Sequence, residues 1–205
     1  MGKDKKFCIK ENYISRDSYH HHDDRGQEDG YQDKVYETAY EICLKNSFRK
    51  VVDIGCGSGF KLIKYFKDCD FVGIEIEPTL SWLKENYPQH TWKSTTFSQE
   101  WEESCDVIIC ADVIEHLVNP DELVNFIKRS GFKYAVISTP ERDAIQRYQR
   151  GYTWSGPPDN MAHVREWDFQ EFREYMSQHF EVVDQFMSQN KAESAPLCQI
   201  VVVKG

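Results

Sequence analysis

The stretch KVVDIGCGSGF, residues 50–60, narrows the possible folds more than any other part of this chain. Val51, Val52 and Ile54 make a short apolar strand, Asp53 stands near its end, and Gly55, Gly57 and Gly59 follow, with Cys56 in the same turn. Glycine accepts a positive φ and carries no Cβ, so such a turn is tight and lets a ligand approach the backbone amides. The dinucleotide fingerprint G-x-G-x-x-G would place its third glycine at position 60, where this chain has Phe60. A second apolar strand closes with Glu75, about 20 residues on, where a carboxylate can accept hydrogen bonds from ribose hydroxyls. The pattern predicts a ribose-bearing ligand with no pyrophosphate to cradle. Its glycine spacing counts against a nicotinamide oxidoreductase.

Strand and helix patterns alternate around this stretch. Apolar strands are expected at 50–54, 71–76, 105–112 and 134–139, with a weaker one at 90–95. Helical patterns fall between them at 60–69, 78–87 and 119–131, and one at 32–46 places Val35, Ala39, Ile42 and Cys43 on one face. Strands separated by helices of about 10–15 residues read as βαβ units, hence an α/β fold with a parallel sheet covered on both faces. After a helix at 168–180, the runs FEVVDQFMS and LCQIVVVKG predict a terminal antiparallel pair. Ligands of such sheets bind beyond the carboxyl ends of the strands, so the residues that follow each strand carry the functional information. Residues 1–31 are polar and are expected to form an arm or lid, with a single domain over 32–205.

Composition removes several classes. With 205 residues, 40% of them hydrophobic, the chain can bury a sizeable core. No run approaches the roughly 20 apolar residues of a membrane span. The polar start MGKDKKFCIKENYISRD lacks the apolar centre of a signal peptide, and Lys6 breaks the myristoylation pattern that Gly2 opens. A net charge of −9 without a long basic run argues against a nucleic-acid partner. Seven cysteines, mostly in apolar runs and without C-x-x-C pairs, fit reduced thiols in a cytoplasmic protein. A monomer or homodimer is expected. The triplet His20–His22 beside Asp23 and Asp24 invites a metal assignment, but three consecutive side chains cannot face one ion on a regular element. A solvated or lid segment is expected there, with Tyr13, Tyr19 and Tyr31 contributing.

In order, VVDIGCGSGF, VGIEIEP and DVIICADVIEHL resemble the successive motifs of class I S-adenosylmethionine-dependent methyltransferases over residues 32–139. The resemblance implies a Rossmann-like, seven-stranded, mostly parallel sheet with helices on both faces and a C-terminal antiparallel strand pair. It implies S-adenosyl-L-methionine across the strand ends. Asp53, Gly55 and Gly57 would line its methionine moiety, with Cys56 and Gly59 in the same turn, and Glu75 would hold the ribose. Ile76 would flank the adenine, in the region where Thr96 and Phe97 also fall. Asp112 and Val113 would border the methionine end and face the acceptor.

Within ADVIEHL, residues 111–117, Glu115 and His116 are adjacent and Asp112 precedes them by one helical turn. A carboxylate beside an imidazole can polarise it as a general base, and an unperturbed pKa near 6.5 suits proton removal at neutral pH. The Asp-x-x-Glu-His spacing also offers oxygen and nitrogen donors. It is similar to the stretch that binds a divalent ion in ubiquinone-pathway O-methyltransferases. Packing of His116 is the third reading; no metal is assigned on this pattern alone.

Residues 140–167 read as a long irregular stretch, and loops of that length in a compact domain are usually functional or disordered. The pattern STPERD…GPP-x-N-x-x-H-V-R-E-W resembles the acceptor-site loop of methyltransferases met beside saccharide and secondary-metabolite biosynthesis. That resemblance implies His163 as a second candidate base. It also implies Arg142 and Arg165 gripping an anionic acceptor through bidentate hydrogen bonds, with Asn160 and Trp167 alongside. Trp154 is a further aromatic of interest. The plainer reading makes HVREWDFQEF a helix start capped by Asp168. The expected activity is O-methylation of a small-molecule acceptor, a saccharide, phosphate-bearing compound or secondary metabolite, with Glu115, His116 and His163 as catalytic candidates. The alternatives are N-methylation, or a catalytically silent adenosylmethionine-binding regulatory protein.

Overall fold

A computed structural model describes residues 3–4, 7–18, 23–26, 28, 30–99, 101, 104–148, 155–188 and 197–205. Tyr19, the His20–His22 triplet and Trp154 lie outside the described residues. A small antiparallel pair, β1 (Lys3–Asp4) and β2 (Ile9–Lys10), precedes helix α1 (Asp33–Asn46). There follow β3 (Lys50–Ile54), α2 (Phe60–Phe66), β4 (Asp70–Ile74), α3 (Thr79–Asn86), β5 (Thr91–Lys93) and β6 (Val107–Ala111). A one-turn 3-10 helix (Ile114–His116) and α4 (Pro120–Arg129) lead to β7 (Tyr134–Pro140), α5 (Arg142–Tyr148) and α6 (Phe169–Ser177). The antiparallel strands β8 (Glu181–Ser188) and β9 (Cys198–Lys204) end the chain.

The main sheet has seven strands in the order β5-β4-β3-β6-β7-β9-β8, parallel from β5 to β7, with β9 inserted antiparallel between β7 and β8. Alternation of side chains along each strand feeds two cores. Val107 and Ile109 pack with Val35, Ala39, Leu62 and Leu83 on the face covered by α1, α2 and α3. Ile108 and Cys110 pack on the other face with Leu123, Ile127, Phe172 and Tyr175 from α4 and α6. Strand order reverses between β3 and β6, whose carboxyl ends deliver Ile54 and Ala111 to the same edge. None of the seven cysteines forms a disulfide.

Two local differences from the expectations matter for the site. Part of the polar N-terminal segment is packed down: Cys8 and Ile9 are buried, Ile14 N–H donates to Ser155 O, and Arg16 N–H donates to Val164 O. The stretch after β7 is not wholly irregular, because α5 starts where the Glu141 carboxylate accepts from Asp143 N–H and Ala144 N–H. A carboxylate at the head of a helix meets otherwise unpaired amides there. Asp168 does cap α6, in a reciprocal capping box with Glu171.

Candidate active site

Beyond the strand ends lies a cleft of about 590 Å³. At one end the chain leaves β3 through Gly55, Gly57 and Gly59, with φ of 74°, 53° and 70°. Only glycine takes this left-handed region without strain. A Cβ at Gly55 would also run into Val113 Cγ2. Gly55 N–H and Cys56 N–H both donate to Ile74 O, which ties the turn to β4. Glu75 then clamps it: Oε2 accepts from Gly57 N–H at 2.9 Å and Oε1 from Ile76 N–H at 2.8 Å. Behind the turn, fully buried Asp53 accepts the Tyr36 hydroxyl on Oδ2 at 2.8 Å, while its buried Oδ1 has no hydrogen-bond partner. Burial pushes the Asp53 carboxyl up to about 7.

Midway along the cleft, Asp112 follows β6 at φ 52°, a conformation held by Ser138, whose hydroxyl donates to Oδ1 at 2.6 Å and also accepts Asp112 N–H. Gln32 Nε2 donates to Oδ2 at 3.0 Å. Tyr31, beside Gln32, lines the same wall; the Asp112 charge, then burial, raise its hydroxyl pKa far above the usual tyrosine value.

At the far end, Glu115 is fully buried, with Oε2 accepting from Thr139 at 3.1 Å and Oε1 lacking a hydrogen-bond partner. Burial, and then the Asp112 charge, push its carboxyl well above the usual range. Its backbone carbonyl accepts Val164 N–H at 2.8 Å, which lays the 160–166 segment against the 3-10 turn. The His116 and His163 rings meet edge to face, centroids 5.0 Å apart and planes at 85°. His116 Nδ1 donates to Ala162 O at 2.7 Å, as it must to a carbonyl. His163 Nδ1 lies 2.6 Å from Glu166 Oε1, and its Nε2 lies 3.0 Å from Asn160 Nδ2. One ligand atom from each of Glu115, His116 and His163 can lie within 4.8 Å of the others, a set that could hold a metal ion.

Against this geometry, a family model described as a methyltransferase domain matches residues 21–185. The chain belongs to that family. Ubiquinone biosynthesis O-methyltransferase of Rickettsia bellii is 32% identical to it over 102 residues, 45% of this chain and 42% of the relative. The chain thus matches less than half the length of that curated relative. Among solved structures, magnesium protoporphyrin IX methyltransferase from Synechocystis PCC 6803 with bound SAH superposes with a TM-score of 0.63 at 15% identity, covering 88% of this chain and 90% of that one. N-methyltransferase NodS from Bradyrhizobium japonicum WM9, in complex with S-adenosyl-L-homocysteine, gives 0.61 at 14% identity and covers 89% of each chain. These neighbours share the fold, and both of those structures hold S-adenosylhomocysteine.

The cleft brings together most of the residues singled out in the sequence. Gly55, Cys56, Gly57, Glu75, Ile76, Thr96, Phe97, Asp112 and Val113 line it, and so do Glu115, His116, Asn160 and His163. Asp53 and Gly59 stand behind the wall as supports of the turn. Three expectations for the loop need correction. Arg142 is 2% exposed and spends its guanidinium on Glu171 at 2.6 Å, Asp168 at 3.0 Å and the Glu166 carbonyl. Arg165 donates to Leu117 O and Val118 O, both at 2.7 Å, and its guanidinium lies over the Phe7 ring. Trp167 is fully buried, stacked on Tyr175 and donating to Phe7 O. None of the three lines the cleft; they brace the loop that presents Asn160 and His163. Tyr31 was expected only as part of a lid, and Gln32, Ser138 and Glu166 were not anticipated, since each acts through a partner distant in sequence or inside an irregular segment. Among the described residues, no helix is long and apolar enough to cross a membrane.

Proposed function

We propose that this domain transfers the methyl group of S-adenosyl-L-methionine to a hydroxyl oxygen of a neutral small molecule held beside His116 and His163. The observation that carries this reading is the imidazole pair, edge to face at 5.0 Å beside buried Glu115, in the same cleft as the glycine turn. The residues fit the cofactor: Gly55, Cys56 and Gly57 line the cleft at a turn where an added Cβ would run into Val113 or Asp24, and a carboxylate stands at the end of β4. Gly55, Cys56 and Gly57 would hold the methionine moiety and Glu75 the ribose. Ile76, Thr96 and Phe97 would hold the adenine, and Asp112 and Val113 would border the reacting end. The cofactor supplies an electrophilic methyl group on a sulfonium sulfur. The chain then has to hold the acceptor oxygen in line, which alone accounts for much of the acceleration in a one-step displacement. It also takes the acceptor's proton at an imidazole nitrogen.

A neutral acceptor is favoured over a phosphate-bearing one. Lys61 is the only lysine or arginine among the described lining residues, whereas Glu115, Glu122 and Asp112 all line the cleft. With Arg142 and Arg165 committed elsewhere, an anion would meet carboxylates.

One observation favours a second reading of the same centre. Glu115 Oε1 is buried without a hydrogen-bond partner, next to two imidazoles. Glu115, His116 and His163 would hold a divalent cation, which would polarise the acceptor oxygen as a Lewis acid. Both readings are tested by incubating the protein with methyl-labelled cofactor and a panel of neutral sugars, phenols, catechols and amines, with and without EDTA. Label on oxygen, insensitive to EDTA, is the expected result. Loss with EDTA and recovery with Mg²⁺ or Mn²⁺ selects the second reading. Label on nitrogen alone, or on nothing in the panel, overturns the proposal.

A further inference from the structure

Resting on the reading of His163 as a group that faces the acceptor, we infer that Glu166 is its positioning residue, fixing the tautomer and the aim of the imidazole. Asn160 Oδ1 accepts Ala162 N–H at 2.9 Å, which orients the amide and turns its Nδ2 toward His163. The Nδ2 group is a donor, so His163 Nε2, 3.0 Å away, accepts. The ring proton therefore sits on Nδ1, which donates to Glu166 Oε1 at 2.6 Å. The lone pair of Nε2 is thus engaged by Asn160 Nδ2, and both residues line the cleft.

Glu166 is built for this task. Its side chain is 1% exposed, so little solvent competes for the carboxylate. Its backbone is pinned on both sides: the N–H donates to the Tyr13 hydroxyl at 3.0 Å, and the carbonyl accepts from Arg142 at 3.2 Å. Arg142 is itself locked to Glu171, so the chain on which Glu166 stands is anchored to α6.

The two histidines differ in what backs them. His116 rests its Nδ1 on a neutral carbonyl, Ala162 O, whereas His163 rests its Nδ1 on a carboxylate. A carboxylate behind an imidazole orients the ring, fixes its tautomer and makes the opposite nitrogen a better electron-pair donor. Glu166 thus prepares His163, not His116, to engage the acceptor, and Asn160 occupies Nε2 until an acceptor hydroxyl replaces it.

The test uses protein labelled with ¹⁵N in histidine, saturated with S-adenosylhomocysteine, and His163→Ala to assign the His163 resonances. The wild type should show His163 as the Nδ1–H tautomer with a strongly downfield Nδ1 proton. Glu166→Ala should lose that proton signal and mix the tautomers, and Glu166→Gln, which keeps an acceptor oxygen without the charge, should move the signal upfield. His116 resonances should change little in either variant. In the methyl-transfer assay, Glu166→Gln should lower kcat about 10–100-fold, with KM for the cofactor and Tm near wild type. Observing His163 as the Nε2–H tautomer, or its ring signals unmoved in both variants, overturns the inference. If the signals behave as expected but His163→Ala turns over at the wild-type rate, Glu166 still positions the ring and the proposed role of His163 in the reaction fails instead.

Discussion

At one end of the cleft, Gly55, Cys56, Gly57 and Glu75 belong to a single β3–α2–β4 unit, and the shape is made by backbone. At the other, His116 meets a carbonyl 46 positions away, Thr139 reaches Glu115 across 24, and the work is done by side chains, among them buried Glu115 with its carboxyl pushed well above the usual range. The first arrangement suits a ligand common to a whole family, since amides and a carboxylate at a strand end demand little beyond the turn itself. The second suits an acceptor peculiar to one protein, because exchanging a loop side chain changes it without disturbing the sheet. Function can diverge at one end while the other stays fixed.

Four substitutions bear on that division, in descending order of effect. Removing the acceptor-side imidazole with His163→Ala should reduce kcat by about 10²–10⁴-fold, the usual span of a lost general base, and stopped-time assays with labelled cofactor would measure it. A drop of less than tenfold would shift the burden to His116. Next, Arg142→Met breaks a buried pair with Glu171, and urea denaturation should show a loss of about 3–5 kcal/mol. Because Arg142 also holds the Glu166 carbonyl, kcat per folded molecule should fall modestly while KM for the acceptor stays near wild type, and a selective rise in that KM would return Arg142 to the acceptor site.

The third effect depends on pH. The Asp53 carboxyl sits at about 7 in the folded protein against 3.8 without burial. The native state therefore keeps this proton while the unfolded chain releases it, and stability falls as pH rises between those values. Between pH 5 and 8 the loss from Asp53 is about 2–3 kcal/mol, at about 1.4 kcal/mol per unit within that window. Denaturation of Asp53→Asn at the two pH values should show a correspondingly shallower fall; Glu115, shifted in the same direction, keeps part of the slope. The smallest effect is Gly55→Ala, which forces a positive φ on a side chain and displaces Val113. It should cost about 1–3 kcal/mol of stability and weaken cofactor binding, leaving the His116–His163 ring pair in place. A ring pair that dissolved with it would mean the two ends are not independent.

The same contrast explains what was legible in the sequence. The strand, glycine turn, helix and strand-end acid are consecutive, so KVVDI was read with its boundaries and the glycine turn at the cleft followed from it. Strand β5 was readable only faintly because it is three residues long. Helix α5 was missed because its two buried apolar residues, Ala144 and Ile145, are adjacent in sequence and show no helical spacing. The N-terminal segment looked like an arm because its partners, Ser155, Val164 and Glu171, lie about 140 to 160 positions downstream. Arg142 and Arg165 were misplaced for a related reason: composition announces a guanidinium but not the carboxylates and carbonyls that consume it. His163 was singled out in the sequence and lines the cleft, whereas Glu166, against its Nδ1, was passed over although it lies three residues away, since in an irregular segment spacing says nothing about facing.

The most direct measurement is calorimetric titration with S-adenosylhomocysteine of the wild type, His163→Ala and Glu75→Ala, with NAD as the parallel ligand. One site per chain for the homocysteine compound, preserved in His163→Ala, abolished in Glu75→Ala and silent with NAD, is the predicted result. Heat with NAD alone, or loss of the site in His163→Ala as complete as in Glu75→Ala, would contradict a cleft with a backbone-built cofactor end and a separate acceptor end.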